Sequence, residues 1–129
     1  MILVDTHVVV WLALDVSQIS YKAKTAIAKA RNEDGLAISD ITLLELATLA
    51  SKGRLRLDTS LESFLGEVEA RFVIVPISAR ACVAALELPP AYPKDPADRI
   101  IGATAIVSGL PLLTADRAIR RSKALHTIW

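Results

Sequence analysis

The chain has a single cysteine, Cys82, in 129 residues. No intrachain disulfide can form, and a thiolate metal centre is excluded. Aromatics are equally scarce, at 5% against a hydrophobic content of 53%, so the core has to be built from Leu, Ile, Val and Ala. Long apolar runs are missing. The longest uncharged one, Val8 to Leu14, falls far below the roughly 20 residues a membrane span requires. The N-terminus has no basic segment and Asp5 interrupts its apolar run, so no secretory signal is expected. These absences point to a soluble, cytoplasmic protein in a reducing compartment. An excess of either charge is also lacking: the net charge of +1 argues neither for nor against nucleic acid. Without repeats, low-complexity tracts or linkers, residues 1–129 read as one domain, large enough to bury roughly two-thirds of its unfolded surface.

What is present is an alternation of short apolar strands and capped helices. Ile2-Leu3-Val4, Leu36-Ala37-Ile38, Phe72-Val73-Ile74-Val75 and Leu112-Leu113 read as buried strands, with Thr127-Ile128-Trp129 as a last edge strand. Between them the sequence predicts helices over about 6–14, 20–31, 41–51, 60–70, 79–87, 96–108 and 116–123. Ser20, Ser78 and the Asp58-Thr59-Ser60 cluster supply start signals, and Gly53 and Gly109 supply stops. Strand and helix in alternation argue an α/β fold with a parallel sheet.

The clearest unit is KDPADRIIGATAIVSGLPLLTAD, from Lys94 to Asp116. Asp95 serves as an N-cap, Pro96 sits at the first helical position, and Asp98 falls at the third. Apolar residues then cover most of the helix surface, which requires burial. The following strand delivers Thr114-Ala115-Asp116 off its carboxyl end.

In open sheets of this kind, ligands bind beyond the carboxyl ends of the strands. Asp5 and Asp116 lie just past strand ends, while Glu45 and Asp98 lie in early turns of helices that begin at that edge. Glu45 stands alone among Leu43, Leu44, Leu46, Ala47 and Leu49, where an unpaired charge costs several kcal/mol. Four gathered carboxylates repel by about 4 kcal/mol per close pair at an effective dielectric near 20. A cation resolves this, and oxygen-only donors select Mg²⁺ or Mn²⁺. Such a site binds phosphate oxygens and activates water, which makes phosphodiester hydrolysis the leading chemistry.

Three stretches, ILVDTHVVVWLAL, SDITLLELATLASKGRLRL and LPPAYPKDPADRIIGATAIVSGLPLLTAD, together resemble the PIN-domain ribonucleases, and among them the VapC-type toxins of bacterial toxin–antitoxin pairs. The resemblance spans essentially the whole chain. It implies a PIN-like three-layer α/β/α fold with a central, mostly parallel sheet. Asp5, Glu45, Asp98 and Asp116 match the acidic quartet that binds one or two Mg²⁺ or Mn²⁺ ions, and Thr6 and Thr114 match the hydroxyls beside it. The resemblance further implies an endoribonuclease, a homodimer and inhibition by a small VapB-like antitoxin. Lys94 and Ala97 depart from many relatives around the DP-x-DR core.

Simpler readings stand beside these. Asp98 completes a capping box, Asp5 and Asp116 cap helices, and Asp95 is mainly a cap. Arg54, Arg56, Arg117, Arg120, Arg121 and Lys123 are either phosphate contacts or a solvated basic face. His7 and His126 have no ligand spacing, and Trp11 and Trp129 read as core or interface residues. Three other functions fit parts of the pattern: an aspartyl-phosphate phosphohydrolase, for which His7 occupies the place of a second aspartate; an RNA-processing PIN nuclease, disfavoured by the lack of an appended domain; and a non-catalytic protein-binding domain.

Overall fold

Short, wholly aliphatic strands are stable only when both faces are covered, and that is how they are used. In the computed structural model, which describes residues 1–129, β1 (Ile2–Val4), β2 (Leu36–Ser39), β3 (Val73–Val75), β4 (Leu112–Leu113) and β5 (Thr127–Ile128) form one sheet in the order β3-β2-β1-β4-β5. Every neighbouring pair is parallel, so the sheet is parallel throughout. Leu3 stands opposite Ala37 on one side and Leu112 on the other, which places β1 at the centre. The chain moves outward from β1 in one direction through β2 and β3 and in the other through β4 and β5, and the crevice beyond the ends of β1 and β4 is the switch point.

Successive side chains of a strand face opposite ways, and the core divides accordingly. Ile2, Val4, Leu36, Ile38 and Leu113 join a larger cluster with α1 (Thr6–Leu14), α2 (Tyr21–Asn32), α3 (Ile41–Ser51) and α4 (Leu61–Arg71). Leu3, Ala37 and Leu112 join a second one with Tyr92, α6 (Pro96–Ser108) and α7 (Arg117–Ser122). A small alanine cluster, Ala81, Ala85 and Ala103, packs α5 (Ala79–Leu86) onto the outside of α6. Helices on both faces of a parallel sheet give the three-layer arrangement. No helix is long and apolar enough to cross a membrane.

The caps act where the sequence puts them. Ser20, Ser60, Ser78, Asp95 and Asp116 each accept a hydrogen bond from the backbone N–H three residues on, at 3.0–3.2 Å. Gly109 closes α6 in the left-handed conformation, at φ 66°. α3 starts differently: Asp40 makes no cap, and Ser39 Oγ accepts the Ile41 N–H at 3.3 Å. Asp40 Oδ2 instead accepts the Ile77 N–H at 3.2 Å, tying the end of β2 to the loop after β3. A short 3₁₀ turn, Val16–Gln18, joins α1 to α2 and has no signal in the apolar pattern.

Candidate active site

β1 ends at Val4, and Asp5 then caps α1 with its own side chain. Asp5 Oδ1 accepts the Thr6 N–H at 2.9 Å. Its other oxygen accepts the Thr114 hydroxyl at 2.8 Å, and Asp5 is only 3% exposed. Thr114 Oγ1 in turn accepts the Asp116 N–H at 3.1 Å, so one hydroxyl couples the ends of the two central strands. His7 adds a second tie. The Ala115 N–H donates to His7 Nε2 at 3.1 Å, which requires the ring proton on Nδ1, 3.5 Å from Asp5 Oδ2.

Glu45 comes from the second turn of α3 and is half-buried. Thr6 Oγ1 donates to Glu45 Oε1 at 2.6 Å and lies 3.0 Å from Thr42 Oγ1. Thr6 has one proton to give, so Thr42 is the donor to Thr6, and the buried chain Thr42–Thr6–Glu45 is fully satisfied. This hydroxyl partner holds Glu45 inward, while Leu44 next to it is 62% exposed.

Asp98 enters from the first turn of α6. Its N–H goes to Asp95 Oδ2 at 3.2 Å, but its own carboxylate makes no hydrogen bond, so the capping box is one-sided. A buried tyrosine locks this turn. Tyr92 is 1% exposed and its hydroxyl donates to the Asp98 main-chain carbonyl at 3.2 Å. The same ring lies against Gly102, where an added Cβ would sit 2.2 Å from the Tyr92 hydroxyl. Arg99 turns away from the acids and holds the Ala85 and Tyr92 carbonyls at 3.2 and 3.4 Å.

Asp5, Glu45 and Asp98 line one cavity of about 310 Å³ with Thr6, His7, Val10, Trp11, Leu49, Arg54 and Leu55. Asp116 does not line it. It caps α7 through the Ile119 N–H at 3.0 Å and reaches the others through Thr114 and through its field. Burial, followed by the charges of Asp5, Asp95, Glu45 and Asp116, pushes the Asp98 carboxyl up to about 7. Burial also raises Glu45, against the Thr6 hydrogen bond and with the help of Asp5 and Asp95. The Tyr92 phenol is raised by burial and by the charges of Asp5, Asp98 and Asp116. Crowding of charge is therefore real but ranks second to desolvation, and Asp95 belongs to the same negative field besides capping α6.

No lysine or arginine pairs with any of these acids; the ion pairs of the protein are Met1 with Asp34 and Arg71 with Glu67, and His7 meets Asp5 as a neutral ring. No three acidic, histidine or thiol side chains converge on one coordination point as they stand, because Asp5 and Asp116 are turned to their hydroxyl and N–H partners. The donor set still suits a hard cation: it is oxygen-only, has no lysine or arginine paired to it, and includes the Asp98 carboxylate, which accepts no hydrogen bond, and Glu45, whose pKa burial raises. Of the basic residues, Arg54 borders the cavity, while Arg56, Arg117, Arg120, Arg121 and Lys123 are exposed elsewhere. Thr42, His7 and Tyr92 carry no motif of their own. Their roles arise from partners 36, 108 and 6 positions away, the Thr6 hydroxyl, the Ala115 N–H and the Asp98 carbonyl, that they meet in the fold. Trp11 packs against the larger core cluster with Trp129, as a core aromatic would, and also lines the cavity.

Residues 2–125 match the PIN domain family. The chain is 37% identical to the ribonuclease VapC22 of Mycobacterium tuberculosis, covering 99% of this chain and 98% of that protein. Among solved structures it is similar to VapBC2 from Rickettsia felis bound to a promoter DNA fragment, with a TM-score of 0.76 at 22% identity and coverage of 98% of this chain and 97% of that one. VapBC-1 from nontypeable Haemophilus influenzae gives a TM-score of 0.75 at 16% identity, covering 98% and 96%. At those identities the two structures establish the shared fold, whereas the full-length match to VapC22 and the PIN match establish descent. The chain belongs to the PIN-domain family, in its VapC group.

Proposed function

We propose that this protein is a divalent-metal-dependent endoribonuclease, the toxin of a VapBC-type pair, working in the cytoplasm. The observation that carries the reading is Asp5, Glu45 and Asp98 on one cavity with no lysine or arginine paired to any of them, and with Asp98 raised to about 7. Asp5, Glu45, Asp98 and Asp116 would hold Mg²⁺ or Mn²⁺. A divalent cation bound there supplies Lewis acidity toward a phosphodiester and lowers the pKa of water. The chain's own part is positional. Thr114, the Thr6 N–H and His7 fix Asp5, and the Thr6 hydroxyl aims Glu45. Tyr92 holds the turn that presents Asp98, and Arg54 at the rim offers a charge to a neighbouring phosphate.

Two further surfaces support the partners of this reading. Val83, Leu86 and Ile106, at 57%, 85% and 43% exposure on α5 and α6, suit a homodimer contact. A cleft of about 380 Å³ lined by Val9, Leu12, Phe64, Val68 and Phe72 suits an apolar segment of a small antitoxin. The test is cleavage of labelled, structured RNA in Mg²⁺, Mn²⁺ or EDTA, beside Asp98→Asn. Cleavage is expected only with metal and the intact chain. Equal cleavage in EDTA overturns metal dependence, and RNA binding without cleavage under every condition leaves a binding domain instead.

A further inference from the structure

The cavity that carries the acids has a second, chemically opposite wall. Besides Asp5, Glu45 and Asp98, its lining includes Val10, Trp11, Leu49 and Leu55 and the exposed Arg54, with Leu49 one turn beyond Glu45 on α3 and Val10 one turn beyond Thr6 on α1. Trp11 is held in place on two sides: its ring centroid lies 5.0 Å from His7, edge-on, and 5.7 Å from Trp129. Leu55 follows Arg54, whose N–H is tied to the Leu49 carbonyl at 2.9 Å, so the turn after α3 is fixed against the helix. None of the four apolar side chains is used by the acid chemistry. An apolar wall repels a phosphate and a hydrated ribose, and it favours a flat, uncharged ring.

We infer that the Val10–Trp11–Leu49–Leu55 wall is a subsite for one nucleobase next to the cleaved phosphate, with Arg54 engaging the phosphate on its far side. The inference rests on the RNA-cleaving reading above. Its logic is covalent. A phosphodiester drawn to the acids by a cation carries a base through one ribose, and the acids and the apolar side chains border the same cavity of about 310 Å³. Stacking on aromatic and apolar surface tolerates any base, because each has a π-face, while arginine contributes both charge and a planar surface. A subsite of this kind anchors the strand without fixing sequence strongly.

The test uses the full-length protein in Mg²⁺ and probes with no scissile bond: AMP, UMP and ribose 5-phosphate, followed by NMR. The nucleotides are expected to shift the Trp11 indole and the Leu49 and Leu55 methyls by ring current, and ribose 5-phosphate to leave them in place. Trp11→Leu, which keeps an apolar side chain, should weaken AMP by about tenfold and leave ribose 5-phosphate unchanged. Arg54→Ala, at an exposed site, should weaken both. Equal binding of ribose 5-phosphate and AMP overturns the subsite. So do methyl shifts with N-acetyl-phenylalaninamide and none with nucleotides, which would assign the wall to a peptide side chain. RNA cleavage, measured separately, distinguishes the two claims. Cleavage without nucleotide shifts removes the subsite alone, and nucleotide shifts without cleavage remove the nuclease alone.

Discussion

Asp5, at the end of β1, and Asp98, on the first turn of α6, face the same cavity and are treated in opposite ways. Asp5 is 3% exposed and fully engaged by Thr6, Thr114 and His7. Asp98 is half-exposed, has no hydrogen bond on its carboxylate, and retains its proton to about 7. The first arrangement fixes a position, and the second leaves a charge to be answered from outside. Hydrogen bonds to the ionised form hold a carboxylate charged, whereas burial without them raises its pKa. The strand end thus serves as the frame of the site and the α6 turn as its responsive part.

The sharpest way to break this contrast is to remove the responsive group. Asp98→Asn should lower RNA cleavage by about 10²–10³-fold, the scale of losing one electrostatic contact to the reacting group, while leaving circular dichroism unchanged. Thr114→Val attacks the frame instead. It strips a hydrogen bond from buried Asp5 and an acceptor from the Asp116 N–H, and should cost about 2–3 kcal/mol in urea unfolding. Gly102→Ala drives a methyl into the Tyr92 hydroxyl and should cost about 1–3 kcal/mol by the same measurement. Tyr92→Phe in the same background should recover part of that loss, since it removes the nearest atom.

The smallest effect concerns protons. Between pH 4 and 7 the folded protein keeps a proton on Asp98 that the unfolded chain, with an ordinary value of 3.8, has released. The folded state then binds more protons, so metal-free stability falls as pH rises through this window. Solvent screening at a half-exposed carboxylate holds the change to about 1–2 kcal/mol. Asp98→Asn should flatten the slope, and saturating Mg²⁺ should reverse it by binding the folded state. Unfolding curves with and without EDTA at pH 5 and pH 8 check this. An unchanged slope in Asp98→Asn would move the titration to another group.

The sequence carried the fold well because its punctuation is local. Ser20, Ser60, Ser78, Asp95 and Asp116 act within three residues of themselves, so the helix starts could be read without knowing the rest. The order of the strands could not, since β1 pairs with β2 and β4 across very different spans of chain. The strand-end rule leads to Asp5 on the cavity, whereas Asp116 lies off it, capping α7 and contributing only its charge to the acid field. What holds the acids was less visible. Thr42 reads as one more helix residue, Tyr92 as a loop aromatic between prolines, and His7 as a bystander, because each acts across the fold. Leu44 misled in a different way: an apolar neighbour of Glu45 in the sequence lies outside in the structure.

One consequence of the central position of β1 concerns the order of synthesis. Asp5 is made 109 residues before the hydroxyl that fixes it, Thr114. Pairings of such long sequence separation form slowly and only after the intervening chain is available. A nascent chain that has not yet exposed Thr114 therefore leaves Asp5 without this partner, and the frame of the cavity closes late in synthesis.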